Sequence, residues 1–278
     1  MAGHGDGAMG SESEWVDGVG LHTGAPVVVR LRRRAGAVTL RTAEAESRID
    51  ELAIAPAERA TVVSSADGRL CVRTVEHVFA ALGGLSIGGG LSLEVSGPEM
   101  PLLDGGAGTW CQAVRALGLP ASAPRLFVAR AATIDCDKSR YEFQPGPRVV
   151  VEVEVDFDDP RIAAHAAWAG DATDFCERIA PARTFAFARE IESLVSRGLA
   201  QHVDRHAVIV IADDAIFWAG RPFAPDEPAR HKLLDLIGDL YIHGGPPVGR
   251  VRAFRPGHAS SACAIRRARA EGVLLRVS

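Results

Sequence analysis

Three side chains able to bind a cation or move a proton, His231, Asp235 and Asp239, fall four residues apart in the stretch Arg230-His231-Lys232-Leu233-Leu234-Asp235-Leu236-Ile237-Gly238-Asp239-Leu240. At about 3.6 residues per helical turn they stack along one stripe, with Leu233, Leu236, Ile237 and Leu240 on another. An imidazole and a carboxylate one turn apart can grip one metal ion. The same spacing also describes an ordinary amphipathic helix whose wet face carries His231, Lys232 and two aspartates.

A second cluster decides between the two. A hydrolytic zinc takes three protein ligands and keeps one position open for water, and two imidazoles with one carboxylate suit it. Glu76-His77 supplies an adjacent pair. If His77 joins His231 and Asp235 the set is complete, and Glu76 is placed to accept a proton from a water whose pKa the metal lowers to about 7. Alone, the pair is a weak signal, since any helix can hold one and a satisfied structural histidine is the commoner case. His258, in a Pro256-Gly257-His258 loop, could supply a positive charge or a proton, with Asp239 holding its ring and raising its pKa; taken singly it is an ordinary surface histidine. Thr184 precedes a helical pattern and reads first as its N-cap, and alternatively as a hydroxyl donor to an oxyanion.

These residues must be positioned by elements the pattern predicts. The helix over 230–240 is started by Asp226-Glu227-Pro228 and ended by Gly244-Gly245-Pro246. Upstream, a tight turn at 18–24 leads into a strand at 25–31, and Ala35-Gly36 predicts a hairpin to 38–41. Short strands near 61–64 and 70–73 flank Ala66-Asp67-Gly68. Thr74 caps a helix running to Leu82, closed by Gly83-Gly84. A strand at 91–95, a loop at 98–108 and a helix at 110–117 capped by Thr109 complete the first half. The second half predicts strands at 126–134, 141–143, 148–157, 164–168, 208–211 and 251–254, with helices at 187–199 and 260–271. The proline-rich stretch 119–124 marks a boundary, so a loose tail at 1–14 and two α+β domains at 15–121 and 125–278 are expected.

Composition agrees with a globular chain of 278 residues, 47% hydrophobic and 24% charged, and no apolar run approaches the length of about 20 needed to span a bilayer. The start has no basic region followed by an apolar one, so no secretion signal is read and a cytoplasmic location is expected. A net charge of −4 gives no basic field for nucleic acid, and Arg30-Leu31-Arg32-Arg33-Arg34 reads as a solvated strand edge. Five scattered cysteines without a C-x-x-C pair read as reduced and mostly structural.

Taken in order, Gly-Val-Gly-Leu-His-Thr-Gly at 18–24, Thr-Val-Glu-His at 74–77, Pro-Leu-Leu-Asp-Gly at 101–105, Ala-Arg-Thr-Phe at 182–185, Ser-Arg-Gly-Leu-Ala at 196–200, the 230–240 stretch and Gly-His at 257–258 resemble the UDP-3-O-acyl-N-acetylglucosamine deacetylases, zinc enzymes of lipid A biosynthesis. The resemblance runs from about residue 15 to the end. It implies two similar domains, each a sheet with two main helices, stacked as a sheet, helix, helix, sheet sandwich with the site between them. It makes His77, His231 and Asp235 the zinc ligands, Glu76 the general base, His258 the cationic acid, Asp239 its orienting partner and Thr184 the oxyanion donor. Lys232 would contact a substrate phosphate and Phe185 would line the sugar site. The implied substrate is an acylated UDP-sugar, and a monomer is expected. A paralogue acting on another nucleotide sugar and a non-catalytic sugar-nucleotide binder are the alternatives. The chain departs from the family pattern at Gln201-His202-Val203-Asp204-Arg205-His206, Gly88-Gly89, Ala186 and Ser260-Ser261, which bears on the acyl-chain passage and on none of the metal or acid-base residues.

Overall fold

The computed structural model describes residues 10–55 and 59–277, so residues 1–9 of the expected tail lie outside the described residues. The class is α+β. A five-stranded sheet has the order β1 (Ser13–Val19), β2 (Pro26–Ala37), β8 (Gly89–Val95), β3 (Thr39–Arg41), β4 (Glu46–Arg48). Alternation along β2 buries Val27, Val29 and Leu31 and turns Val28, Arg30 and Arg32 to the other face. A small antiparallel sheet of β5 (Ala53–Ala55), β6 (Val62–Ser64) and β7 (Cys71–Arg73) follows.

A second large sheet has the order β10 (Ala132–Cys136), β11 (Ser139–Glu154), β16 (Val248–Phe254), β9 (Leu126–Val128), β17 (Leu274–Arg276), with β12 (His165–Trp168) also on β11. A three-stranded sheet of β13 (Thr184–Phe187), β14 (Val208–Ile211) and β15 (Ile216–Phe217) completes the strands. The helices are α1 (Glu76–Gly84), α2 (Gly108–Ala116), α3 (Ala172–Asp174) running into a π-helical turn at Phe175–Ile179, α4 (Ala188–Ser196), α5 (Glu227–Ile242) and α6 (His258–Ala270).

Several sequence expectations are corrected. The strand after Ala35-Gly36 does not form a hairpin with β2; β3 pairs in parallel with β8, which lies between them. The expected strand 126–134 is two, β9 and β10, in different positions of one sheet, while 141–143 and 148–157 belong largely to the single long strand β11. Neither threonine caps its helix. α1 begins after Val75 without a side-chain cap, and Thr74 takes a left-handed φ of 59°. α2 begins after Ala107, and the amide of Thr109 donates to Asp104 Oδ2 at 3.3 Å. Thr184 opens a strand instead of capping a helix, since α4 starts at Ala188. His258 is the first residue of α6, not part of the loop before it.

α5 runs through the core. Apart from Lys232 and Tyr241 all its residues are buried, and His231, Asp235 and Asp239 are only 5%, 4% and 2% exposed, so the polar stripe is no wet face. α1 lies against it, buried along its whole length. The approach depends on Gly238, because a Cβ built there would stand 2.1 Å from the Glu76 carbonyl oxygen. With no side chain at 238, the start of α1 comes down onto the face of α5 that carries Asp235 and Asp239.

Candidate metal centre and catalytic cleft

His77 from α1 and His231 and Asp235 from α5 each bring one ligand atom to within 4.8 Å of the others, which makes them the candidate metal site among the described residues. His77 Nε2 lies 3.8 Å and His231 Nε2 3.5 Å from Asp235 Oδ1. That carboxylate oxygen is buried and has no hydrogen-bond partner among the described residues. Leaving such an atom unpaired costs roughly 1–3 kcal/mol or more, so a cation between it and the two imidazoles satisfies a need the fold creates.

The donors are in the protonation states a metal requires. Burial, followed by the charge of His231, pushes His77 down to about 3, and burial likewise lowers His231, so both rings are neutral at pH 7. Burial alone would raise Asp235, but Lys232, then His231 and His258, hold it far below the usual carboxylate range. His231 Nδ1 donates to the Ala182 carbonyl at 3.0 Å, which fixes the tautomer and leaves the Nε2 lone pair facing Asp235. Lys232 Nζ donates to Asp235 Oδ2 at 2.6 Å, leaving Oδ1 for the cluster.

Glu76 and His258 sit beside this cluster. Glu76 Oε2 accepts the Thr61 amide at 3.0 Å, while Oε1 lies 3.8 Å from His258 Nε2. The other ring nitrogen, Nδ1, lies 3.2 Å from Asp239 Oδ1 and 2.9 Å from Thr61 Oγ1. Because Thr61 donates its own hydroxyl to Asp239 Oδ1 at 2.7 Å, it accepts at His258, and the proton on that ring belongs on Nδ1. Burial opposes the charged ring, yet Asp239 and then Glu76 outweigh it and push His258 up to about 9. Burial pushes Glu76 up to about 7, with His258 pulling it back and Asp235 reinforcing the rise.

Thr61 joins Glu76, His258 and Asp239, yet it carries no signal in the sequence beyond strand composition. Glu99 is another residue the sequence does not announce. Buried, it accepts the amides of His22 and Thr23 at 3.0 and 2.8 Å and the hydroxyls of Thr23 and Thr74 at 2.7 and 2.9 Å. It thereby ties the 18–24 turn to the strained residue that launches α1. A β-branched residue in the left-handed region costs on the order of 1–3 kcal/mol, which the surrounding bonds must offset.

A cavity of about 760 Å³ opens onto these groups. Its lining includes Thr184, Phe185 and Lys232, together with the apolar side chains of Phe157, Phe187, Ile191 and Leu194. Phe185 packs edge-on against Phe157 at 5.3 Å and against His231 at 6.0 Å. Thr184 donates its hydroxyl to the Gly105 carbonyl at 2.9 Å. Arg183, next to it, is locked by Glu227 at the start of α5: its amide and Nε donate to Oε1 at 3.1 and 2.8 Å and Nη2 to Oε2 at 3.1 Å.

A family model described as UDP-3-O-acyl N-acetylglycosamine deacetylase matches residues 11–268. The chain belongs to the UDP-3-O-acyl-N-acetylglucosamine deacetylase family. Among relatives carrying that name, the protein of Myxococcus xanthus is 36% identical over 255 residues, 88% of this chain and 80% of its own length. The one of Phenylobacterium zucineum is 36% identical over 262 residues, 90% of this chain and 88% of its own. That of Thermosynechococcus vestitus is 32% identical over 262 residues, covering 90% and 89%. Members of this deacetylase family are hydrolases, and in this one no helix among the described residues is long and apolar enough to cross a membrane.

The departures of this family member have definite places. The amide of His202 donates to the Leu21 carbonyl, so the 201–206 segment lies along the 18–24 turn, and Val203 lines the cavity. Ser260 and Ser261 each lie 3.0 Å from the Tyr141 hydroxyl, and Ser139 donates to Ser260 at 3.0 Å. These bonds fasten the first turn of α6, and with it His258, to β11.

Proposed function

We propose that the chain is a zinc-dependent amidohydrolase that removes the N-acetyl group of a UDP-3-O-acyl-N-acetylglucosamine in lipid A synthesis, acting in the cytoplasm. The observation that carries this reading is the meeting of His77, His231 and Asp235 with Glu76 and His258 at a cavity that also has an aromatic and aliphatic lining. Family membership supplies the substrate class.

His77, His231 and Asp235 would hold the zinc, which when bound would supply a Lewis acid for the acetamide carbonyl and would lower the pKa of a water to about 7. Glu76 Oε1, the oxygen not taken by the Thr61 amide, accepts the proton of the attacking water. His258, kept cationic by Asp239, offers Nε2–H to the developing oxyanion and then to the departing amine. The Thr184 hydroxyl, now shared with Gly105, assists at the oxyanion. The acetyl C–N bond breaks, acetate leaves, and the sugar nitrogen departs as an amine.

Lys232 contacts a substrate phosphate and Phe185 lines the sugar site in this reading. Charge on Lys232 is favoured, since the attraction of Asp235 and the hydrogen bond to it outweigh burial and raise its pKa. The apolar lining suits an O-acyl chain. We read residues 15–121 and 125–278 as two domains stacked sheet, helix, helix, sheet; the packing of α1 on α5 supports this, and so does the origin of the site residues in both halves. One chain carries the candidate ligands, base and acid together, so a monomer would hold the full set.

The test is acetate release from defined UDP-N-acetylglucosamines with and without the 3-O-acyl chain. Release that depends on the chain is expected. Release from neither compound would overturn the substrate assignment, and equal release from both would favour a broader nucleotide-sugar deacetylase.

A further inference from the structure

Thr61, the residue just before β6, is 1% exposed and turns all three of its polar groups to one place. Its carbonyl accepts the Val75 amide at 3.3 Å, at the residue before α1. Its amide donates to Glu76 Oε2 at 3.0 Å, and its hydroxyl donates to Asp239 Oδ1 at 2.7 Å and lies 2.9 Å from His258 Nδ1. One buried threonine thus links the first residue of α1 and the first residue of α6 to α5.

Asp239 alone gives the His258 ring a loose seat. Its two oxygens lie 3.2 and 3.3 Å from Nδ1, both longer than the usual N–H···O distance of about 2.9–3.0 Å and too alike to select one direction. Thr61 Oγ1 is closer than either. A hydroxyl has a single proton, and because this one goes to Asp239, the oxygen can only accept from His258. The Nδ1–H···Oγ1 bond therefore adds a single direction to the contact with the carboxylate. Branching at the threonine Cβ restricts χ1, so the direction of the hydroxyl is itself held.

We propose that Thr61 is a positioning residue, whose hydroxyl aims the His258 ring so that Nε2 faces Glu76 Oε1, and whose amide turns the Glu76 carboxylate to meet it. The inference rests on the deacetylation proposed above, in which these two groups are the acid and the base. Thr61 is not among the residues lining the cavity, so it acts through Glu76 and His258 and not on the substrate. Its two contributions are separable. The amide belongs to the backbone and survives substitution, whereas the hydroxyl is lost in Thr61→Val, a change that keeps the branched shape. That variant leaves Asp239 Oδ1 without this donor and Nδ1–H with only the two longer contacts.

The test pairs kinetics of the zinc-loaded protein with NMR of its histidine rings. In the unaltered chain, which needs no variant, His258 should carry a proton on Nδ1 that shows a nuclear Overhauser effect to the Thr61 side chain. In Thr61→Val that proton should exchange faster with water. The kcat for acetate release from a UDP-3-O-acyl-N-acetylglucosamine should fall by about 10- to 100-fold, the range that a hydrogen bond to a charged group supports, with KM and zinc content unchanged. Thr61→Ser restores the hydroxyl on a freer χ1 and should recover most of kcat. An unprotonated Nδ1 or a missing Overhauser effect in the unaltered chain overturns the proposal. So does a Thr61→Val protein with full kcat or with lost zinc, or a Thr61→Ser protein as impaired as Thr61→Val, since each makes the residue a space-filler. An unaltered protein that releases no acetate overturns the deacetylation instead, and the ring signals then still decide whether Thr61 aims His258.

Discussion

His258 faces Asp239 through one ring nitrogen, at 3.2 Å, and Glu76 through the other, at 3.8 Å. The imidazole thus bridges two buried carboxylates, and in the proposed reaction the second of them is the base. Burial drives Glu76 up to about 7, and Asp239 and Glu76 together drive His258 up to about 9 against burial. Between those values Glu76 is ionised while His258 stays cationic, the combination that hydrolysis by a base and an acid in one site requires.

Glu76→Gln should leave one metal ion per chain, because Glu76 lies beside the ligand cluster and not in it. Turnover should drop by about 100- to 10,000-fold, the range for losing a positioned acid-base group. His231→Ala should lose metal and activity together. Elemental analysis alongside acetate release separates the two behaviours, and a metal-free Glu76→Gln protein would contradict the assignment of base and ligands.

The pH profile should be bell-shaped. Activity rises as Glu76 loses its proton and falls as His258 loses its own. A bound cation favours the ionised carboxylate and disfavours the imidazolium, so the limbs should lie at or below about 7 and at or below about 9 respectively. His258→Ala should abolish the alkaline limb while the acid limb persists. An unchanged alkaline limb in that variant would assign it to another group.

Gly238→Ala tests the contact that brings the halves of the site together. The added methyl would stand 2.1 Å from the Glu76 carbonyl oxygen, so α1 must move away from α5. Overpacking of this kind costs roughly 1–3 kcal/mol, and metal affinity should fall along with stability although no ligand is altered. A variant with native stability and unchanged metal affinity would show that the helices adjust freely.

Arg183→Met leaves the Glu227 carboxylate buried with only Arg221, which donates to Oε1 at 2.7 Å. Breaking a buried pair costs roughly 3–5 kcal/mol, so denaturant unfolding should shift to a markedly lower midpoint. Arg183 holds Glu227 below its ordinary pKa against the effect of burial. The pair's stabilisation is therefore present above the unfolded value of 4.5 and lost as pH falls below it. The variant should show a weaker loss of stability in acid than the unaltered protein.

The 201–206 segment tests substrate selectivity. Val203 lines the cavity, and Val203→Asp should put a carboxylate there and shift the preferred acyl chain toward shorter lengths. An acyl-length profile identical to that of the unaltered chain would show the segment to be a surface turn.

Much of the site was legible because helical spacing alone stacks His231, Asp235 and Asp239, and because an adjacent Glu76-His77 is a compact signal. What the spacing could not show was direction. A polar stripe on an amphipathic helix ordinarily faces water, and only the burial of α5 beneath α1 turns it into a buried candidate ligand set. Thr61 stayed invisible because its partner Asp239 lies 178 residues away and a lone threonine has no pattern. The β2–β3 hairpin was misread for a similar reason, since β8, some fifty residues further on, enters between the two strands. Thr74 looked like a cap by composition, but its hydroxyl is drawn to Glu99.

The most direct test of the account is acetate release from a UDP-3-O-acyl-N-acetylglucosamine as zinc is added back to the stripped protein. The rate should be negligible without metal, rise in proportion to zinc and level off at one equivalent per chain. A stripped protein that releases acetate at the full rate would contradict the role given to His77, His231 and Asp235.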